Sequence, residues 1–477
     1  MFVRFTRDYQ AGSGRMFLGG EVVDVDARWG NQLIAAGAAT LSATASNPVT
    51  LVTDPLTGVA TGITSPDGQS RSLLSLPRRG NVGTRIFGGR MGDFTLNGLG
   101  NTFEVLMALA QDFDAVRIIT SNSNNGTNTS APLILANVAT VGDTTAATTD
   151  AADWSTQVTW GGSGTQALTV SSGTSRRTYQ VSDWILKSSI PRTDGGTLPL
   201  LAVRGFVATN ANPITIMGNG TDSFTNWSTH PSGRIWKMRV ANGNYASASQ
   251  STFNANSAVV QQSPIIGVQY SARGRVITVM AAGDSITEGR GTYIGEGFIF
   301  PACVELSNKS GVAVEYCNIG WSGTNMGFVA RQVLDVTNAS IFPDLMFLPA
   351  GSPNDISTTI TAALVASGRS NIGWAQALCR QNQIIPVIWP WLPSNTSVKN
   401  YGATDSLRVA YNQEVYTFAS RGVDVPLVDT PIIGVTTGGQ VQMTVGTTDD
   451  NIHPNDNGNA LMKPYAKTAI ARYLAGW

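Results

Sequence analysis

Two histidines, His230 and His453, are all the imidazole in this 477-residue chain. Acid–base chemistry near neutral pH therefore falls on one of them, if imidazole supplies it. His453 lies in Asp450-Asn451-Ile452-His453-Pro454. An aspartate three residues before a histidine can meet it in one tight turn, whose ends lie within ~7 Å. Pro454 disfavours helical geometry at His453, so a turn is expected there. Far upstream, Gly283-Asp284-Ser285-Ile286-Thr287-Glu288-Gly289 directly follows the apolar run VITVMAA. A serine at a strand-to-helix turn has its N–H at a helix N-terminus, where unpaired amides and the helix dipole stabilise a developing oxyanion. A serine nucleophile needs a base, and the base needs an orienting acid. Two further segments sit after apolar runs. Asn318-Ile319-Gly320-Trp321-Ser322-Gly323-Thr324 has glycines that let a backbone approach a ligand, and Gly351-Ser352-Pro353-Asn354-Asp355 has an amide to point into a site. Each segment also has a plainer reading: Ser285 as a helix cap, the others as ordinary turns. His230, in TNWSTHPSG, has no carboxylate near it in sequence and reads as a surface or turn histidine.

These segments need a frame. From about residue 275, RVITVMAAGDS, VAVEYCNIG, DLMFLPAG, QIIPVIWP and VPLVDT read as buried strands. TTITAALVASGRSNIGWAQALCRQ, SLRVAYNQEVYTFASRG and LMKPYAKTAIARYLAGW between and after them read as helices. Strand and helix alternate at βαβ spacing, which predicts a parallel α/β sheet with helices on both faces over 273–477. Ligands of such sheets sit at the carboxyl ends of the strands, where all four segments fall. Residues 86–272 hold short apolar runs such as FDAVRIIT and LPLLAVRGFVAT between Gly/Asn/Ser/Thr clusters. That rhythm predicts a β-sandwich-like domain, with MALAQDFDAV as its one helix-like stretch. Residues 46–85 are rich in Pro, Ser, Thr and Gly and read as a linker or extended arm. Residues 1–45 form a small unit, a strand-like GEVVDV followed by a helix with Asp26 as its cap.

The four segments, in this order, resemble the sequence blocks of the SGNH (GDSL-type) hydrolase superfamily. GDSITEG and DNIHP are specific; NIGWSG and Asn354-Asp355 are looser. The resemblance covers about residues 276–477 and implies that superfamily's three-layer α/β fold. It implies Ser285 as nucleophile, His453 as the base that takes its proton and later activates water, and Asp450 as the residue orienting the imidazole. The oxyanion hole it implies is the Ser285 N–H, the Gly323 N–H and the Asn354 side chain, with Gly320 as the alternative glycine. The family's third block reads G-x-N-D, whereas two residues, Ser352 and Pro353, separate Gly351 from Asn354 here. No cofactor or metal is implied. Cysteine spacing agrees, since Cys303, Cys317 and Cys379 form no CxxC pair and have no neighbouring histidine.

The superfamily cleaves acyl esters, among them acetylated polysaccharides, lipid esters and thioesters. Trp389 and Trp391, after QIIPVI, and Trp321, in the second block, are expected at the site rim as flat stacking surfaces for a sugar. A polysaccharide O-deacetylase is therefore expected. The alternatives are a short-chain lipid esterase or thioesterase, and a non-enzymatic glycan-binding virion structural protein. The 31 Lys+Arg balance the 31 Asp+Glu, and charged residues are only 13% of the chain. That excludes the basic excess needed for nucleic acid or an anionic membrane surface. No apolar window is long enough for a membrane helix, and no secretory signal is visible at MFVRFTRDYQAGSGRMF. VDVDARWGNQLIAAGAAT looks like short segments of bacteriophage virion proteins. The expectation is a virion-associated or externally acting enzyme, docked to other virion proteins through residues 1–80 and possible as an oligomer, with a cytoplasmic location as the alternative.

Overall fold

The structure, a computed structural model, describes residues 81–86, 96, 98–123, 131–140, 154–170, 177–190, 201–208, 238–258, 263–272, 274–290, 297–307, 312–356, 359–416 and 428–474 with their side chains, and short stretches of strand and helix elsewhere as backbone. It divides into two compact units. One comprises Met1–Arg79, Phe418–Asp424 and Ala469–Trp477. In it, Phe2–Phe5 pairs antiparallel with Val22–Asp24 and with Ala39–Leu41, and Thr50–Thr53, Ala60–Thr64 and Ser70–Ser72 form a second small sheet.

The other unit comprises Gly80–Thr417 and Val425–Thr468. Its main strands are β1 (Val82–Ile86), β2 (Asn101–Ala108), β3 (Phe113–Asn124), β4 (Leu133–Val141), β5 (Arg176–Val181), β6 (Leu200–Val207), β7 (Trp236–Asn242), β8 (Ser257–Val259), β9 (Ile265–Ala272), β10 (Val276–Ala281), β11 (Ala313–Asn318), β12 (Leu345–Pro349) and β13 (Ile385–Trp389). The α-helices described from Gly80 onward are α1 (Gln250–Asn256), α2 (Ser285–Glu288), α3 (Ile299–Ser310), α4 (Met326–Asn338), α5 (Ala362–Gln381), α6 (Asp405–Ala419) and α7 (Asp456–Ala475).

One mixed sheet runs β5-β3-β9-β1-β11-β10-β12-β13. From β1 to β13 neighbouring strands are parallel, and from β1 to β5 they are antiparallel. All six residues of β10, VITVMA, are buried, as a parallel strand covered on both faces requires. β10 has β11 on one side and β12 on the other. The chain leaves β10 for β11, then crosses to β12. The carboxyl end of β10 is therefore a topological switch point, where an α/β sheet opens a crevice. An antiparallel sheet, β4-β6-β2-β7-β8, lies in the same unit. Phe103, Val138 and Val203 from it share one buried cluster with Val116, Val268 and Tyr270 of the mixed sheet. The stretches before and after position 272 thus contribute strands to one sheet.

Several local expectations change. MALAQDFDAV is not helical: β2 and β3 run through it, because β2 is hydrogen-bonded to a strand on each side and that pairing overrides the helix propensity of Met, Ala and Leu. Val82–Ile86, which overlaps the end of the expected arm 46–85, is a strand whose Arg85 is buried against Glu315 at 3.2 Å, so its inward side chain hides the apolar signal. Ala39–Leu41, within the expected N-terminal helix, is a strand, and the rest of that helix from Asp26 to position 38 lies outside the described residues. So does His230. Val428, Asp429 and Thr430, the described part of the expected strand VPLVDT, form a turn that runs into a 3₁₀ helix at Thr430. The other four expected strands after 275 are β10 to β13, and the three expected helices are α5, α6 and α7.

Candidate active site

Beyond β10 the chain turns sharply into α2, a single turn of helix. A Cβ on Gly283 would lie 2.0 Å from Thr287 Oγ1, so only glycine admits this turn. The cap of α2 is Asp284, whose Oδ1 accepts the Ile286 N–H at 2.9 Å. Ser285 is the next residue and does not cap the helix. Its hydroxyl is free to lie 2.7 Å from His453 Nε2. Asp450 Oδ2 lies 2.5 Å from His453 Nδ1, and Asp450 Oδ1 accepts the backbone N–H of His453 at 2.8 Å and of Ile452 at 3.1 Å. Burial opposes the Asp450 charge, but the N–H groups of His453 and Ile452 outweigh it and hold the carboxyl below its ordinary range. An ionised carboxylate can only accept, so His453 Nδ1 carries the proton and Nε2 presents its lone pair to Ser285.

His453 reaches that position through a tight turn containing Asn451 in the left-handed region, φ 67°. Asn395, in the loop after β13, donates its backbone N–H to Asn451 O at 2.9 Å and its side-chain amide to Asn451 Oδ1 at 2.8 Å.

The second block forms a loop laid against α2. Asn318 donates to Thr287 O at 2.9 Å and accepts the Gly320 N–H at 2.9 Å. The Gly320 N–H is thus already engaged, and a Cβ there would strike Glu288 N at 2.6 Å. Gly323 sits in the left-handed region, φ 81°, with open space where a Cβ would be. Among the described residues its N–H has no protein partner, which favours Gly323 over Gly320 as a donor to a ligand. Glu288 accepts the Ser322 N–H at 2.6 Å, just before it.

In the third block, the residues between Gly351 and Asn354 take part in the site's support. Ser352 caps the short 3₁₀ turn Pro353–Asp355 by accepting the Asn354 N–H, and its hydroxyl donates to Asp284 Oδ2. Asn354 spends one amide hydrogen on Thr324 O at 2.9 Å and keeps the other. Burial drives the Asp284 carboxyl upward, against the pull of its donors Ser352 and Ile286.

The aromatic expectation is corrected in part. Trp389 and Trp391 are 1% and 2% exposed, so neither offers a stacking face to solvent. Trp389 packs edge-to-face on Phe298, and Trp391 lies where a Cβ on Gly351 would be, 2.2 Å from its ring. Both are buried core residues; Trp321 is half-buried. The sequence alone assigns no role to Glu288, Ser352 or Asn395. Glu288 and Ser352 stand within the first and third blocks, but all three act through residues distant along the chain, 34, 68 and 56 positions away. The three cysteines are buried, and none of them is in a disulfide.

Residues 281–461 match the family described as GDSL-like Lipase/Acylhydrolase. The chain therefore carries a GDSL/SGNH acylhydrolase domain, built on a mixed α/β sheet. Similar solved structures include a GDSL-like lipase from Bacteroides thetaiotaomicron (20% identity, 41% of this chain and 87% of that chain, TM-score 0.30). An esterase from Pseudoalteromonas sp. is similar over 42% of this chain and 98% of its own, at 15% identity and TM-score 0.31. A family two carbohydrate esterase from Cellvibrio japonicus is similar over 83% of this chain and 96% of its own, at 10% identity and TM-score 0.31. No curated protein matches the chain.

Proposed function

We propose that the protein is a serine esterase that removes O-acetyl groups from a polysaccharide. The observation that carries the esterase reading is the unbroken line from Ser285 Oγ through His453 to Asp450, with links of 2.7 and 2.5 Å. His453 Nε2 takes the Ser285 proton as Oγ bonds to the acyl carbon. The carbonyl oxygen becomes an oxyanion facing the N–H groups of Ser285 and Gly323 and the spare Asn354 amide hydrogen. Collapse breaks the acyl–oxygen bond, and protonated His453 gives its proton to the departing sugar hydroxyl. Water, deprotonated by His453, then cleaves the acyl-serine and releases acetate. Asp450 stabilises the imidazolium throughout.

A sugar acceptor is supported by a chain poor in charge and rich in neutral polar residues, and by half-buried Trp321 two residues from Gly323. Residues 1–80 are the proposed docking segment to virion proteins, supported by the likeness of VDVDARWGNQLIAAGAAT to virion segments. Acetate release from a panel of acetylated polysaccharides, with wild type beside Ser285→Ala, tests the function. Release by wild type alone supports it. Equal release by both proteins rejects it, and a preference for longer acyl esters would make the protein a lipid esterase or thioesterase. Deletion of residues 1–80 should abolish incorporation into particles.

A further inference from the structure

The loop that presents Gly323 is irregular, yet its backbone is almost fully committed. Ile319 N–H donates to Ala281 O and Trp321 N–H to Gly283 O, both at 2.9 Å, and Thr324 N–H donates to Trp321 O at 3.2 Å. With the bonds of Gly320 and Ser322 given above, Gly323 alone among residues 319–324 keeps an N–H without a partner among the described residues. The carbonyls of the loop have a different anchor. Arg177, 4% exposed, donates from Nη1 to Ile319 O at 2.7 Å and from Nη2 to Gly320 O at 3.0 Å. Its guanidinium carbon stands 5.0 Å from the centre of the Trp321 ring. Its own backbone N–H is held by Asp335 Oδ2 of α4 at 3.1 Å.

Arg177 belongs to β5, at the antiparallel end of the mixed sheet, 142 residues before Ile319. It lies outside the matched stretch 281–461. A guanidinium is planar, always charged and rigidly forked, so two bonds to successive carbonyls fix both position and tilt of the peptide between them. Lysine, a single point of charge, cannot reproduce that geometry.

We infer that Arg177, supplied by the β-rich segment, is a positioning residue of the acyl-transfer site: it clamps Ile319 and Gly320 and so aims the Gly323 N–H at the developing oxyanion. This rests on the esterase reading above, because that reading makes Gly323 a donor. The appended strands then form part of the catalytic frame rather than a detachable module.

The test uses the full chain as Arg177→Lys and Arg177→Gln, with 4-nitrophenyl acetate as substrate. A misplacement of about 1 Å in a catalytic group lowers rate about 10²-fold. The expected kcat is therefore down about 10-fold for Lys and about 100-fold for Gln, with KM within about two-fold of wild type. Covalent capture of Ser285 by a phosphonate ester, whose phosphoryl oxygen also needs the donors, should slow in the same ratio. A residue that only supported the fold would lower the unfolding temperature and leave kcat at 25 °C unchanged. Wild-type kcat in either folded variant overturns the assignment, as does a rise in KM with kcat intact. Failure of both variants to fold overturns it too, since Arg177 would then be a folding residue. The esterase reading fails on a separate result, equal hydrolysis by wild type and Ser285→Ala, and the assignment falls with it.

Discussion

Ser285 Oγ and His453 Nε2 stand 2.7 Å apart across 168 residues of chain. Two local features make the meeting possible: Asp284 takes over the capping of α2, and the Asp450 carboxylate turns the Nε2 lone pair toward the serine. Ser285→Ala removes the attacking atom and one hydrogen bond. Hydrolysis of 4-nitrophenyl acetate should drop to background while the unfolding free energy changes by no more than about 1–2 kcal/mol. Full activity in that variant would sink the mechanism.

Asp450→Asn probes orientation separately from nucleophilicity. An amide facing Nδ1 would donate, leaving the proton on Nε2 and no lone pair for Ser285. The expected loss in kcat is roughly 10⁴-fold with the fold intact. Single-turnover kinetics should show the loss in the acylation step.

Asn354 and Ser352 act in sequence. Removing one oxyanion donor typically lowers rate by about 10²–10³, so Asn354→Ala should reduce kcat by that factor with KM little changed. Ser352→Ala leaves Asn354 in place but takes away its backbone anchor and a donor to buried Asp284. It should cost about 1–3 kcal/mol of stability and a smaller part of kcat. Steady-state kinetics and chemical unfolding of both variants check the order.

Asp355 carries a pH signature. Burial pushes its carboxyl up to about 6, helped by the charge of Asp284 and opposed by the Met326 N–H it accepts. The folded protein therefore holds this proton to higher pH than the unfolded chain does. Stability from this group is present at low pH and lost as pH rises through about 6. Asp355→Asn keeps an acceptor for Met326 and removes the titration. Its stability relative to wild type should grow between about pH 4 and pH 7, by at most about 3 kcal/mol. Urea unfolding of both proteins across that range would refute this if the difference were flat.

Asn395 holds the left-handed residue between Asp450 and His453, and its Oδ1 also accepts the Met443 N–H at 2.7 Å. Asn395→Ala frees Asn451 from its side-chain partner and leaves Met443 without an acceptor. A fall in kcat of roughly 3–10-fold is expected, since catalytic groups must be held near their productive geometry, together with a lowered unfolding temperature. Unchanged kcat would show that the turn holds itself.

Much of the site could be read along the chain because its parts are local. GDSITEG and the Gly351–Asp355 block follow strands whose six- and five-residue apolar runs are plain, and DNIHP holds one of two histidines beside its carboxylate. Burial was not legible in the same way. Trp389 ends β13, Trp391 lies just after it and both have a polar tip, features shared by rim and core residues; only the packing of Phe298 and Gly351 against them distinguishes the two. Val82–Ile86 was hidden because its inward Arg85 answers Glu315, a partner in another strand.

By itself the amino-acid order determined which groups can react: a serine at a strand-to-helix turn, an imidazole with its acid three residues away, and an asparagine after a third strand. It also determined the alternation that makes the sheet parallel there. Tertiary structure alone decided which of these groups touch, that Gly323 and not Gly320 has an N–H without a partner among the described residues, and that Arg177 braces the loop from outside the matched stretch. The reason is physical. Propensity and periodicity act over a turn or a strand, whereas contact between residues 142 or 168 apart depends on how the strands are ordered in one sheet.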